Sequence, residues 1–531
     1  MKRFDIIVFN QNDHNGNSWL SIGYLSSALR EEHVDCHVSF FLQDEINLAV
    51  EYVLRVNPIA VGVPMLQYNF YTCLAFCKEL KSKSPKTFVI LGNKEATCYY
   101  DYLLNVYHDY IDAISLGEGE DTLIQFCHCI INDTSFGKCP GLAIYSDKQV
   151  ILTPKRKLRE NIDTFPFPDR SYRIGNSNVY NVLGSRGCQG NCSFCEANTI
   201  YKHNEGPRVR QRTINNILDE IETLSENHSI IHINFIDSTF CGDSKQSINR
   251  LNELYESLIK RDINIQFGFN IRSEQVNQEF VDCLLKLETV GLVSILIGLE
   301  AGNKEDLELY NKCASLDVHK RTLRLLRDND IISGKAGIHF ETGFINFNPY
   351  TTLERLRENL DFLESNSVKV SPYDMTSRLM ISGSCYILNR IREDGLLTID
   401  PSLPVVNPYG YRFMDPKAKH AYDMYNKYLS MLGIKNYENV LFKKKIFIRH
   451  FSSICIDGFD DIYQEYNNYS NNAVIFVINT ILNILEEKTT DYKLLPKIRM
   501  YKEKILEMEK MIEWYDNIMS KRLYRINQLI I

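Results

Sequence analysis

The chain has no uninterrupted apolar stretch near the ~18 residues that a membrane-spanning helix requires. Its best candidate, Ala473 to Leu485, is broken by Asn479, Thr480 and Asn483 and reads as a packed helix. No membrane span is expected. The opening Met1-Lys2-Arg3-Phe4-Asp5 lacks the apolar core of a secretion signal and runs straight into a strand pattern, so a cytoplasmic location is expected. A basic excess is missing too: the net charge of -7 argues against non-specific phosphate binding, and no nucleic-acid partner is expected. Neither a Gly-x-Gly-x-x-Gly run nor a Walker loop occurs, so no nucleotide-phosphate site is indicated. The fifteen cysteines lack the short secreted context of a disulfide framework and are expected reduced.

At 531 residues the chain exceeds one hydrophobic core, and two to four domains are expected. Over residues 1–150, β runs at Phe4–Phe9, His37–Leu42, Ile59–Val63, Phe88–Leu91 and Ala113–Leu116 alternate with amphipathic segments such as Leu20–Arg30 and Cys73–Leu80. That pattern predicts an α/β fold with a Rossmann-like, doubly wound parallel sheet. Ligands of such sheets lie beyond the carboxyl ends of the strands, where Asn10–Asn17, Pro64–Asn69, Gly92-Asn-Lys-Glu and Gly117-Glu-Gly-Glu120 fall. Those glycines serve either tight turning or close approach of a ligand.

Residues 151–175 mix basic residues with prolines and read as a linker. From 176 to 375 a second alternation begins, with strands at Val179–Gly184, His232–Asp237, Ile265–Asn270, Ser294–Glu300 and Gly337–Ile345. Helical patterns fall at Ile214–Leu224, Ile248–Lys260, Gln278–Leu287, Val318–Asp328 and Leu353–Ser365. About six βα repeats fit that length, hence a partial (β/α)6 barrel. Residues 376–531 lose the strands and predict a helical C-terminal domain, from Ala418–Leu432, Asn471–Glu486 and Tyr492–Asn527. Its aromatics Tyr409, Tyr411 and Phe413 are expected in the core. Cys36, Cys73, Cys77, Cys127, Cys283, Cys313 and Cys455 sit among apolar neighbours, where a thiol packs as a small hydrophobe.

Cys188, Cys192 and Cys195 are different. They follow the first strand of the second alternation, spaced Cys-x3-Cys-x2-Cys. Three close thiolates can hold three irons of a 4Fe–4S cluster, and with no fourth cysteine nearby one iron stays open. A structural zinc site is the alternative, but it takes four ligands, usually as paired halves, and only His203 is near in sequence.

With Phe194 before its last cysteine, this motif resembles the radical S-adenosylmethionine superfamily. Asp237-Ser238-Thr-Phe240 stands where that superfamily contacts the methionine amino group. Asn270-Ile-Arg272 and Gly298-Leu-Glu300-Ala-Gly302 resemble positions that hold the ribose and the carboxylate. Ile345-Asn-Phe-Asn-Pro349 departs from the Gly-x-Pro-Gly turn of many relatives. The first 150 residues resemble the cobalamin-binding subgroup through Ser21–Leu29, Leu91-Gly92, Leu116-Gly117-Glu-Gly119-Glu120 and Pro140–Tyr145. The resemblance implies cobalamin contacts at Gly92, Gly117 and Gly119, and at Asn12 and His14 in the first loop. His14 is either a cobalt ligand or a solvated loop histidine, since that subgroup usually leaves the lower cobalt face without one.

The resemblance implies three cofactors: a 4Fe–4S cluster, S-adenosylmethionine and cobalamin. Electron transfer from the cluster cleaves S-adenosylmethionine to a 5′-deoxyadenosyl radical, which abstracts hydrogen from unactivated carbon. Methylcobalamin then supplies a methyl group. Methylation of a natural-product precursor or ribosomal peptide is the leading expectation, with an electron donor such as flavodoxin or ferredoxin. Cyclisation or rearrangement without net methylation is the alternative. A methylthiotransferase is a further reading, which needs three N-terminal cysteines as a second cluster. Tyr373, Asp374 and Arg378 lie beyond the last barrel strand and face either substrate or bland packing and surface salt links.

Overall fold

A computed structural model describes residues 2–11, 19–172, 178–197, 200–226, 231–242, 246–434, 459–486 and 494–530. The chain divides into two compact units, Met1–Phe269 with Met380–Gly410 and Asn270–Leu379 with Tyr411–Ile531.

The first unit begins β1 (Arg3–Asn10), α1 (Leu20–Glu31), β2 (Asp35–Leu42), α2 (Ile46–Val56), β3 (Ala60–Pro64), α3 (Phe70–Lys83) and β4 (Phe88–Gly92). It continues α4 (Asn93–Cys98), α5 (Tyr100–Tyr107), β5 (Ala113–Ser115) and α6 (Glu120–Ile131). Side chains alternate across β1. Ile7 and Phe9 join a core with Val61, Val63 and Phe76, while Phe4, Ile6 and Val8 join another with Ile22, Leu29 and Phe126. A sheet covered on both faces needs such near-continuous apolar strands, and each large side chain so buried stabilises by about 1.5–3 kcal/mol. Asp5 is the polar exception, held by Arg3 at 2.7 Å and by the Tyr52 hydroxyl at 2.9 Å.

The strands run in the order β2-β1-β3-β4-β5-β6-β7, where β6 is Leu142–Ser146 and β7 is Gln149–Leu152. The first four pairings are parallel, as the alternation predicts. An antiparallel hairpin, β6 and β7, extends them. Its two-residue turn places Asp147 and Lys148 at φ 53° and 61°, the geometry of a hairpin turn without its usual glycine. The reversal between β1 and β3 is a topological switch point, where such sheets open a crevice.

Further along come β8 (Arg156–Lys157), β9 (Val179–Val182), β10 (Ser185–Arg186), β11 (Asn204–Glu205), β12 (Arg210–Gln211), β13 (Ile231–Phe235) and β14 (Ile265–Ile271). Strands β9, β13 and β14 pair in parallel, interleaved with helices Ile214–Ser225 and Ser247–Lys260. The small pair β10–β12 is antiparallel.

In the second unit β15 (Leu292–Glu300) pairs in parallel with β16 (His339–Phe344). The helices Gln278–Glu288, Leu316–Asp328 and Leu353–Ser365 are capped by the side chains of Asn277, Ser315 and Thr352. Five strands of the expected six repeats are therefore present among the described residues, and a sixth is reduced to one parallel bridge, Phe347 to Arg378. Arg378 lies over the rings of Tyr411, Phe413 and Tyr422, at 4.6, 5.2 and 5.0 Å from their centroids. It is an aromatic-stacked cation.

The C-terminal helices Pro416–Leu432, Phe459–Leu485 and Leu494–Ile530 are as expected in kind, and the second starts earlier than its apolar pattern, from a polar first half. Ala473, Val474, Val477, Ile478, Ile481 and Leu482 are fully buried. Three packing expectations are corrected. Tyr409 and Tyr373 are exposed, because they lie outside the regular elements or at a short helix's start, and Cys313 is exposed on a turn. Asp374 caps its own helix through Ser371. Cys455 lies outside the described residues. Among the described residues no helix is long and apolar enough to cross a membrane.

Candidate functional site

The cysteine loop leaves β10 at Gly187, whose φ is 85° and whose added Cβ would stand 2.1 Å from the Arg208 carbonyl oxygen. Only glycine fits there. Cys188 and Cys195 are half-buried and Cys192 is buried. Backbone N–H groups point at sulfur: Gly190 donates to Cys188 Sγ at 3.3 Å and Ala197 to Cys195 Sγ at 3.5 Å. Such bonds favour thiolates and suit an iron–sulfur cluster. Among the described residues no three His, Cys, Asp or Glu side chains gather around a single ion position.

A downstream segment supports the loop from behind. Cys385 Sγ donates to the Phe194 carbonyl at 2.8 Å, and Ile387 N–H to that of Ser193 at 2.9 Å. The Phe194 side chain is half-buried. Cys385 carries no signal of this contact in the sequence, since nothing local connects positions so far apart.

Asp237 holds the loop's stem. Its carboxylate accepts from Gly184 N–H at 3.0 Å and from the Ser185 hydroxyl. Burial pushes its carboxyl above the ordinary range, against those two bonds. Arg250 adds bonds to the carbonyls of Phe240, Arg212 and Gly184 at 3.1, 2.9 and 3.1 Å. Neighbouring Ser238 turns instead to a cavity.

That cavity, of about 390 Å³, opens at the carboxyl ends of β3, β4 and β5 beside the switch point. Pro64, Gly92 and Ser115 at the strand ends, with Gly117 and Gly119 in the loop beyond β5, line one part, and Arg186, Gly187, Ala197, Tyr201 and Ser238 another. Three of the glycines expected to meet a corrin thus share a space with the flanks of the cysteine loop. At Gly92 an added Cβ would meet only Ser115 Cβ, at 3.9 Å. A side chain there would fill the cavity, so the glycine keeps room for a ligand. Gly117 also serves the turn: its φ is 78° and an added Cβ would lie 2.0 Å from Asn204 Oδ1. The wall is largely aliphatic, with Leu20, Ile22, Leu25, Leu183 and Ile236. This lining suits a partly apolar ligand. Asn12 and His14 lie outside the described residues.

Charged residues missed in the sequence reading join these walls. Arg186 pairs with Glu118 at 3.0 Å and with Glu120 at 2.6 Å, and Lys94 pairs with Glu196. Burial pulls the Arg186 guanidinium down, and Glu120 and Glu118 more than offset it. The signal was present: Gly117-Glu-Gly-Glu carries two acids, and Arg186 stands two residues before Cys188.

The other expected contacts to S-adenosylmethionine belong to the second unit. Asn270 is half-buried on β14. Arg272 donates through Nε to Glu274 at 2.6 Å. Glu300 ends β15 at φ 71°, a strained setting for a side-chain-bearing residue, and pairs with Lys312 at 3.1 Å. Gly302 is buried, its N–H bonded to Asn359 at 2.8 Å, and an added Cβ would meet Phe362 at 2.6 Å. In the divergent Ile345–Pro349 run, Asn346 donates to the Met375 carbonyl and Asn348 to Asp306 and Tyr310, so these asparagines hold buried backbone and side chains together.

Six of the seven cysteines in residues 1–150 are split between two cores, and Cys98 is half-buried outside both. Cys73 and Cys77 pack on one face of the sheet, and Cys36, Cys127, Cys129 and Cys139 on the other. Burial pushes the thiols of Cys77 and Cys36 up to about 12. The sheet separates the two groups, and among the described residues no three of these thiols gather around one ion position.

Residues 182–363 match the radical SAM superfamily. The chain is 22% identical over 368 residues to an uncharacterized methyltransferase of Pyrococcus horikoshii, covering 67% of this chain and 75% of that protein. It is 24% identical over 356 residues to the anaerobic magnesium-protoporphyrin IX monomethyl ester cyclase of Rubrivivax gelatinosus, covering 62% of this chain and 61% of the cyclase. In fold it is similar to the cobalamin-dependent S-adenosylmethionine radical enzyme OxsB, solved with aqua-cobalamin and S-adenosylmethionine bound. There the TM-score is 0.68 at 17% identity, over 100% of this chain and 81% of that one.

Proposed function

From a chain whose residues 182–363 form a radical SAM domain and whose fold is that of a cobalamin-dependent enzyme of this superfamily, we propose a methyltransferase that acts on an unactivated carbon. Cys188, Cys192 and Cys195 would hold a 4Fe–4S cluster, beside which S-adenosylmethionine would bind. Bound together, these groups supply a carbon-centred radical, and cobalamin supplies the methyl carrier. Phe194, Asp237, Ser238, Asn270, Arg272, Glu300 and Gly302 are assigned to the S-adenosylmethionine side. Gly92, Gly117 and Gly119 are assigned to cobalamin.

One observation carries this reading: a single cavity is bounded both by the sheet's glycine turns and by the flanks of the cysteine loop. The chain's own part is to bind, to orient and to exclude water. Its aliphatic wall keeps the space dry, Gly92 leaves room, and Asp237 with Arg250 fixes the stem from which the cysteines project. The division into 1–150 for cobalamin, 151–175 as linker, 176–375 as radical barrel and 376–531 as a substrate-facing cap belongs to the proposal. So do a natural-product precursor or ribosomal peptide as substrate, a flavodoxin or ferredoxin as electron donor, and a cytoplasmic location.

The test is anaerobic reconstitution with iron, sulfide and hydroxocobalamin, followed by reductant and methyl-deuterated S-adenosylmethionine. Bound cobalamin, 5′-deoxyadenosine and a deuterated methyl on the product are expected. Cys192→Ala should abolish 5′-deoxyadenosine while leaving cobalamin bound. Protein that makes no 5′-deoxyadenosine under any of these conditions sinks the reading. Likeness to a cyclase keeps a second reading, cyclisation or rearrangement; it is favoured if 5′-deoxyadenosine forms and the product carries no label.

A further inference from the structure

Ion pairs tie both ends of the cysteine loop to the ends of the sheet's strands. Ahead of Cys188, Arg186 reaches Glu118 and Glu120, and Arg210 on the paired strand β12 reaches Glu118 as well. Beyond Cys195, Glu196 pairs with Lys94, two residues past Gly92. The front group is nearly dry, with Arg210 2% and Arg186 10% exposed, against 27% for Lys94. It sets two cations against two carboxylates. Arg186 is confined further by the rings of Phe165 and Tyr24, at 4.4 and 5.1 Å. The acidic side is fixed through Gly117, at φ 78°, and through the Glu118 N–H, which donates to Asn204 at 3.4 Å.

Arg186, Glu118, Glu120 and Lys94 are themselves walls of the cavity. Whatever fills the cavity therefore packs against the side chains that set the loop's stem. A buried group of matched charges has few good arrangements, because moving one member leaves another unpaired. Two occupants that prefer the same arrangement must help each other by equal factors.

We propose that Glu118 and Glu120 are positioning residues that couple the cavity to the cysteine loop, so that a corrinoid in the cavity and a cluster on the cysteines each strengthen binding of the other. The inference rests on reading the cavity as the cobalamin site. Full-length protein is prepared anaerobically with and without reconstituted iron and sulfide, and hydroxocobalamin is titrated into each form. The cluster should tighten hydroxocobalamin binding at least ~5-fold, the lower end of ordinary coupling. In Glu118→Gln/Glu120→Gln protein the factor should fall to about one while hydroxocobalamin still binds. The EPR signal of the reduced cluster should shift when the corrinoid is added to the parent protein and stay unchanged in the double variant. Equal affinity in both forms of the parent protein overturns the coupling. Failure of hydroxocobalamin to bind any form overturns the cavity assignment instead. Should the double variant not fold, Lys94→Gln and Arg186→Lys carry the same test. The first lies at the wetter pair, and the second keeps the charge but loses the two-pronged geometry. Each should lower the factor, and an unchanged factor in both overturns the assignment.

Discussion

Glu95, in α4, is 1% exposed, and neither of its carboxylate oxygens has a hydrogen-bond partner among the described residues. Burial pushes its pKa from 4.5 up to about 7, with Lys94 opposing and Glu196 assisting. The folded protein therefore holds a proton that the unfolded chain releases, so stability falls as pH rises between 4.5 and about 7 and stays lower above it. The effect is roughly 3–4 kcal/mol, at about 1.4 kcal/mol per pH unit. Glu95→Gln mimics the protonated acid. The variant should melt like the parent near pH 5 and at a higher temperature at pH 8. Thermal denaturation at both values checks this, and an identical pH dependence in the two proteins would falsify it. Nothing in the Gly92-Asn-Lys-Glu95 run separates a buried acid from a solvated one. The cysteine triad was legible because its chemistry is local, one motif within eight residues. Arg186 with Glu118, and Cys385 with Phe194, were not, because each pair is joined only by folding.

Elements differ in the same way. Strands β1, β3 and β4 were legible because both faces are covered and their sequences are nearly all apolar. The hairpin β6–β7 was not: its strands are half-exposed and its turn, Asp147-Lys148, lacks glycine. At the cysteine loop, the junction with β10 depends on one backbone position. Gly187→Ala imposes strain at a φ of 85° and a contact 2.1 Å from a carbonyl oxygen, together of order 1–3 kcal/mol. The loop should shift, so iron incorporation should fall several-fold while hydroxocobalamin binding changes far less. Iron content and absorbance after reconstitution measure both. Normal iron loading in the variant would show that the turn does not set the cysteines.

At the scale of the molecule, the two units carry different parts of the proposed chemistry. Every residue lining the cavity belongs to the first, whereas Asn270, Arg272, Glu300 and Gly302 belong to the second. A ligand slows hydrogen exchange where its binding must be undone before the chain opens, by a factor near its excess over Kd. At ~100-fold excess the slowing is roughly 100-fold, about 2.7 kcal/mol. Hydroxocobalamin should therefore protect amides around residues 90–120 and 183–201, and leave the helices Phe459–Leu485 and Leu494–Ile530 unchanged. S-adenosylmethionine, added to reconstituted protein, should bring new protection to residues 270–302. The order of addition separates the two assignments, because each ligand reports on a different stretch of chain. Protection of 270–302 by hydroxocobalamin alone, with residues 90–120 unaffected, would move the corrinoid out of the cavity and leave Gly92, Gly117 and Gly119 as turn-forming residues only.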